Sequence, residues 1–325
     1  MIKSISLIIP SQNAENKLFK LLSCIPDWDI IPNEIIIVDS SDDKLIIPNY
    51  FNIFVKKNDI KLLIIHGRDI YPGHARNIGI NHSNNNLLAF LDTSTLPNQT
   101  WLSSGLEIMR AQKTEGVWGK TYYKANTFLT KIYKASTYGE RPIETFPGSI
   151  LKKSVFNRCG LFIETTRAGE DGDWMSRVKL HNLNISIPYE FLSYGEFQEL
   201  NLQQIIKKWF RNYVHSSRLP YSMAHRSFYY YGISFLAVVV AFNWNAVLAS
   251  WDTDNSLYVP NITKISILSL IITYICIRGI FIPSKKGVNL KFILPINFIL
   301  ISFFSGLLDF TKILAFIFSK STNKR

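Results

Sequence analysis

Three long apolar runs crowd into the C-terminal third of the chain, and nothing else in it limits the possible folds so strongly. They are "FYYYGISFLAVVVAFNWNAVLAS" from Phe228, "ISILSLIITYICIRGIFI" from Ile265 and "FILPINFILISFFSGLL" from Phe292. A helix crossing a bilayer needs about 20 mostly apolar residues. Large buried helices of a soluble protein could look alike, but runs this long in such close succession favour membrane segments. Residues 228–325 are therefore expected to form an α-helical membrane region with two or three transmembrane helices, making the protein multi-pass.

The stretch before the first run, "IIKKWFRNYVHSSRLPYSMAHR", carries Lys207, Lys208, Arg211, Arg218 and Arg226 and no acid. Its aromatics, Trp209, Phe210, Tyr213 and Tyr221, suit a helix lying in the headgroup layer. Residues 201–227 are thus expected to be a basic amphipathic interfacial segment facing anionic membrane lipids on the cytoplasmic side. Much of the net charge of +12 belongs here and at the C-terminus, so nucleic acid is not expected as a partner. The loop from Trp251 to Asn261 has acids but no Lys or Arg and reads as outside; Lys285, Lys286 and Lys291 read as inside. A third full span would then put Lys320, Lys324 and Arg325 outside, against the positive-inside rule, so a re-entrant or interfacial last segment stays open.

The first 200 residues alternate differently. "SISLIIP", "EIIIVDSSDD", "KLLIIH" and "NLLAFLDTST" are short, continuously apolar strands, two of them ending in acids. Between them, "ENKLFKLLSCI" places Leu18, Leu21, Leu22 and Ile25 on one helical face, and "PGHARNIGINHS" opens like a helix. This pattern implies an α/β domain over residues 1–200 with a mainly parallel sheet covered on both faces. Ligands of such sheets bind beyond the carboxyl ends of the strands, where Ser11, Asp39 and Asp92 fall. Ile5 to Ile9 is too short for a secretory signal core, so the domain is expected on the cytoplasmic side. Cys24, Cys159 and Cys276 are far apart, which argues against a disulfide framework or a zinc cluster.

A crowded acidic stretch, "AGEDGDW", adds Glu170, Asp171 and Asp173. Acids this close sit in water, bind a metal or share a proton-transfer site. Taken in order, "IIPSQNAEN", "IIIVDSSDD", "GHARNIGI", "AFLDTSTLPNQTWL", "GSILKKSVFNRCGLF" and "AGEDGDWMSRV" resemble the motifs of the family 2 glycosyltransferases. These are inverting enzymes with the GT-A nucleotide-sugar-binding fold, and the resemblance covers about residues 4 to 215.

The resemblance implies a nucleotide-sugar donor. Pro10, Ser11 and Asp39 would hold the nucleoside, and Arg76 would lie near the nucleotide. Asp92 would approach the ribose and any metal. The second acid of the family's DxD motif is Ser94 here, which weakens the case for a divalent cation, Mg²⁺ or Mn²⁺. Asp171 of "GED" would be the general base, with Glu170 orienting the loop or the acceptor. Trp174 is expected to stack on a sugar face, Arg177 to pair with an acid of the motif, and Asp173 to be a solvated helix-start acid.

These expectations add up to a membrane-anchored glycosyltransferase acting on a lipid-linked or glycan acceptor, through a hydroxyl or a lipid phosphate, in glycan or cell-envelope polysaccharide synthesis. A processive polysaccharide synthase is one alternative. Against it, of the QxxRW that such enzymes carry Trp209 is kept, but Ile205 replaces the Gln and Lys208 the Arg. A catalytically silent nucleotide-sugar-binding scaffold is the other.

Overall fold

The structure is a computed structural model that describes residues 4–195, 200–220 and 224–322. Tyr221, Lys324, Arg325 and the Arg226 side chain lie outside the described residues. The chain divides into two compact units. The first comprises residues 1–130, 141–201 and 218–222; the second comprises 131–140, 202–217 and 223–325.

The first unit is built on one sheet. Its strands are β1 (Ile5–Ser11), β2 (Glu34–Asp39), β3 (Lys61–His66), β4 (Leu87–Phe90), β5 (Thr95–Leu96), β6 (Gly116–Tyr123), β7 (Ile143–Lys152), β8 (Ile185–Ser186) and β9 (Leu192–Tyr194). The spatial order is β3-β2-β1-β4-β7-β6-β9-β5, with β8 beside β6. The apolar strands read from the sequence, β3-β2-β1-β4, are all parallel. Beyond β4, β7 runs antiparallel and opens a mixed half made with β6, β9 and β5. Pro10 is tolerated in a central strand because β4 pairs only as far as Ile8, so the missing N–H interrupts no ladder on that side.

The helices are α1 (Glu15–Cys24), α2 (Asn49–Lys57), α3 (Pro72–His82), α4 (Trp101–Ala111), α5 (Phe128–Ser136), α6 (Lys153–Cys159) and α7 (Glu170–Leu180). Strand alternation sends Ile5, Leu7, Ile9, Ile35 and Ile37 to one face, against Leu18, Leu21 and Leu22 of α1 and Phe51 of α2. Ile8, Ile36, Val38, Leu88 and Phe90 go to the other, against Ala75 and Ile80 of α3, Phe156 of α6 and Trp174 and Val178 of α7. Both faces are covered, which is why these strands carry no polar alternation. On this second face α3 and α7 also pack against each other.

The second unit is helical: α8 (Leu202–Ser216), α9 (Ala224–Leu248), α10 (Ile262–Ile275), α11 (Ile282–Lys285), α12 (Leu290–Ile293) and α13 (Asn297–Thr322), with a π-helical turn, Cys276–Phe281, joining α10 to α11. Residues 131–140, which carry most of α5, also belong to it. Among the described residues two helices are long and apolar enough to cross a membrane, Ile262–Lys285 and Asn297–Ser321. The apolar part of α9, Phe235–Leu248, is shorter. Only 6% of the apolar window of Ile262–Lys285 is buried within the protein, unlike the core helix of a soluble domain.

Candidate active site

The last rung of the parallel strands carries three polar residues abreast. Ser11 ends β1 opposite Asp39, which ends β2 opposite His66, the last residue of β3. Asp39 is fully buried; its carboxylate accepts from Ser41 Oγ at 2.7 Å and lies 3.3 Å from His66 Nδ1. Ser11 is also buried, and its Oγ has no hydrogen-bond partner among the described residues. Asn13, in the left-handed region at φ 47°, ties the turn after β1 to the turn after β2. Its Nδ2 donates to Asp42 Oδ2 at 2.9 Å and its backbone N–H to Ser41 Oγ at 2.8 Å. A cleft lined by Asn13, Ala14, Ser41, Asp43 and Lys44 opens from these turns. His66 was missed in the sequence, although it ends "KLLIIH" where Asp39 ends "EIIIVD".

Beside this row, Arg76 of α3 joins two acids from distant parts of the chain. Its Nη1 donates to Glu170 Oε1 at 2.7 Å and its Nη2 to Asp92 Oδ1 at 2.9 Å. Arg76 is 3% exposed, and its guanidinium lies over the rings of Phe146 and Phe162 at 5.2 and 5.6 Å. Burial works against the charge, but Asp92, Glu170 and Asp171 outweigh it and raise the arginine's proton affinity. The expectation that Arg76 meets the nucleotide has to accommodate this: both outer nitrogens already bind carboxylates.

Two glycines explain how α3 and α7 approach so closely. A Cβ on Gly73 would lie 2.6 Å from the Ile163 carbonyl oxygen and 3.0 Å from Glu170 Cγ. Gly169 precedes α7 at φ 87°, a conformation that costs other residues more. Asn77, one residue past Arg76, clasps the same loop: Nδ2 donates to the Phe162 carbonyl, and Oδ1 accepts the Phe162 N–H, both at 2.9 Å.

Helical periodicity sorts the crowded acids of α7. Glu170, Asp173, Trp174 and Val178 are buried, while Asp171 is half-buried and Gly172 is exposed. Burial, followed by the charge of Asp171, pushes the Glu170 carboxyl up to about 7, against the pull of Arg76. Among the described residues Asp171 accepts from its neighbour alone, the Gly172 N–H at 2.7 Å, and it is half-buried, with an open side.

Two expectations need correction. Trp174 does not face a sugar. It is fully buried, stacked on Phe156 at 4.6 Å, with its Nε1 donating to the Gly160 carbonyl at 2.8 Å. Asp173 is not a solvated acid. It is 2% exposed and accepts from Arg177 Nε at 3.1 Å, while Arg177 Nη1 and Nη2 donate to the carbonyls of Cys159 and Leu161. Both follow from position: residues three and four beyond Glu170 share its inward face. The pairing foreseen for Arg177 is with this acid.

The residues that the resemblance assigns to a divalent ion are Asp92 and Ser94. Asp92 is partly exposed, but one oxygen is taken by Arg76, and Ser94 contributes at most a hydroxyl. No group of three or more His, Cys, Asp or Glu is placed to hold a metal among the described residues.

Residues 6–167 match the family model described as Glycosyl transferase family 2. A relative, Glycosyltransferase AglE of Haloferax volcanii, is 24% identical over 222 residues, 64% of this chain and 71% of its own length. Mannosyltransferase PcManGT from Pyrobaculum calidifontis, solved in complex with GDP-Man and Mn²⁺, superposes with a TM-score of 0.52 at 13% identity, covering 96% of this chain and 86% of that one. The crystal structure of S. aureus TarS 1–349 gives a TM-score of 0.45 at 14% identity over 98% and 92% of the two chains. The mixed sheet is that of the GT-A fold, and the protein is by class a glycosyltransferase. It belongs to glycosyl transferase family 2 through its first unit, since the match takes in β1 to β7 and Arg76.

Proposed function

We propose that the protein is a membrane-anchored, inverting glycosyltransferase that moves a sugar from a nucleotide-sugar donor to an acceptor hydroxyl on a lipid-linked glycan. The observation that carries this reading is the half-buried Asp171, open on one side, which follows the buried Glu170 held by Arg76; Arg76 also binds the partly exposed Asp92, and the polar row Ser11–Asp39–His66 ends strands of the same unit. Ser11 and Asp39 hold the nucleoside, with Pro10 shaping the turn beneath it. Asp92 meets the ribose. Arg76 fixes Asp92 and Glu170 in place, and Glu170 in turn fixes the start of α7.

Asp171 then takes the proton from the acceptor hydroxyl as its oxygen bonds to the anomeric carbon. The carbon–oxygen bond to the diphosphate breaks on the opposite face, and its electron pair leaves with the nucleoside diphosphate. One displacement inverts the configuration and needs no enzyme nucleophile. An open base favours a hydroxyl acceptor, because a phosphate monoester presents an oxygen already largely ionised. With Ser94 in the second acidic position, dependence on a divalent ion should be shallow.

The apolar helices of the second unit anchor the protein in several passes, with the first unit on the cytoplasmic face. The test is a thermal-shift panel of UDP, GDP and TDP sugars on the detergent-solubilised protein, followed by transfer assays with the donor that binds. Binding and transfer by wild type are expected; binding without turnover of any offered acceptor would favour the silent scaffold.

A further inference from the structure

A second group of buried charges lies wholly within the helical unit, and the proposed chemistry makes no use of it. Asp309 of α13 is bonded by Arg278 Nη2 at 3.0 Å, by Lys312 Nζ at 3.0 Å and by the Tyr274 hydroxyl at 3.1 Å. The side chains of Arg278, Lys312 and Asp309 are 19%, 17% and 10% exposed. Lys286 stands close by, with its Nζ donating to the Thr137 carbonyl. Its burial, followed by the charges of Arg278 and Lys312, lowers its hold on its proton.

The charges do not balance. Among the described residues two cations, Arg278 and Lys312, share one carboxylate in helices that are long and apolar enough to cross a membrane, and a third, Lys286, follows directly after the first of these helices. Excess charge away from water is costly unless it is paired. Ionisable residues in such segments face a partner, a cavity or a ligand. Arg278 also has a buried Nε with no hydrogen-bond partner among the described residues. On one side the cluster is walled by aromatics: Lys312 Nζ is 5.0 Å from the Trp209 ring and 5.3 Å from that of Tyr213. These rings stack on each other at 5.7 Å, and Trp209 is held by the Tyr133 hydroxyl at 2.7 Å. On α10, Ile265, Leu268, Ile271 and Ile272 are exposed, offering an apolar surface for acyl chains.

From this we infer that Arg278, Lys286 and Lys312 form a site for the phosphate of an anionic lipid headgroup, with Asp309 directing Arg278 and Lys312 and the Trp209–Tyr213 pair walling one side. The acyl chains would lie along the exposed apolar helices. The site stands without the transferase reading, because it lies in the second unit and its ligand is bound rather than transformed.

The test uses the full-length protein in detergent, with no donor present. Binding of phosphatidylglycerol, phosphatidylcholine, diacylglycerol and inorganic phosphate is compared by native mass spectrometry and thermal shift. Wild type should retain phosphatidylglycerol in preference to the other three. Lys286→Met leaves the Asp309 pairs intact, and Lys312→Gln leaves Asp309 with Arg278. Each should weaken phosphatidylglycerol binding about fivefold, as expected for one cation near an anionic lipid. Lys264→Gln, which removes an exposed charge at the start of α10, should change binding much less. Melting in lipid-free detergent shows whether each variant is folded, and Lys286→Met carries the test should Lys312→Gln fail to fold. Unchanged binding by Lys286→Met, an equal loss in Lys264→Gln, or inorganic phosphate binding as well as the lipid would overturn the inference.

Discussion

In the first unit one buried arginine holds two acids, and in the second one buried aspartate holds two cations. The two clusters are inverses of each other, and their surplus charges must be relieved differently. Around Arg76 the surplus is negative: Asp92, Glu170 and Asp171 face one guanidinium. A carboxylate can take up a proton, and Glu170 does so more readily than an ordinary acid, at about 7. Around Asp309 the surplus is positive: Arg278 keeps its proton, and Lys286, whose hold is already lowered, keeps its own only with an anion at hand. That surplus calls for an anion from elsewhere. The acid-rich cluster thus suits proton transfer, and the cation-rich one suits anion binding.

The sharpest way to break this contrast is Asp171→Asn. A positioned carboxylate base is worth about 10²–10⁴-fold, so turnover should fall by that factor, roughly 3–5 kcal/mol in the barrier. Donor affinity should barely move. Asp173→Asn is the control: a buried acid paired with Arg177 should cost melting temperature rather than turnover per folded molecule. Equal turnover losses in the two variants would show that the acids of α7 have been assigned the wrong roles.

Cutting the centre of the first cluster is the next test. Arg76→Met leaves Glu170 and Asp92 without their cation, and breaking a buried pair from one side costs about 3–5 kcal/mol. Trp174→Ala should cost a similar amount, about 3–5 kcal/mol, purely by emptying core volume. Chemical denaturation of the first unit's signal measures both. The two should differ with pH, since only Arg76→Met leaves charge behind. A loss for Arg76→Met no larger than that of a surface substitution would mean that the acids relax into water.

The proton on Glu170 sharpens the comparison further. Its carboxyl is raised from 4.5 to about 7 in the folded protein, so between those values the native state holds a proton that the unfolded chain has lost. Stability should therefore fall as pH rises through this window, on the order of a few kcal/mol in all, and flatten above it. Glu170→Gln should remove that slope while keeping a hydrogen bond to Arg76. Melting temperatures across pH 4–8 for both proteins read it; a Glu170→Gln slope equal to wild type would place the proton elsewhere.

The smallest effect concerns the ion. Ser94→Asp restores a second acid next to Asp92 and should convert a shallow Mn²⁺ response into a saturable one of severalfold. Sharp, saturable Mn²⁺ dependence in wild type, unchanged by Ser94→Asp, would mean that the ion is held by other groups.

Much of the first unit was legible because β1, β2 and β4 are buried on both faces. "SISLIIP", "EIIIVDSSDD" and "NLLAFLDTST" could not alternate polar and apolar residues, so their continuous runs announced parallel strands, and "KLLIIH" at the more exposed edge was read from a similar run. The antiparallel return of β7 was not legible, because "GSILKK" reads the same in either direction. The roles of the α7 acids were half legible. Their spacing contained the answer, since residues 170, 173, 174 and 177 share a helical face, but only the packing shows that this face turns inward.

By itself, the sequence marked the four parallel strands of the first unit, the apolar runs of the second and where polar residues end the parallel strands. Those are local matters, set by periodicity over a few residues. Only the tertiary structure decided that Arg76 would bind Glu170, 94 positions away, and that Asp309 would draw Arg278 from 31 positions away. Only it turned Trp174 into core and left Asp171 open. A side chain's partner depends on which elements the fold brings against it. Charge pairing acts over a few ångströms of space and is indifferent to distance along the chain.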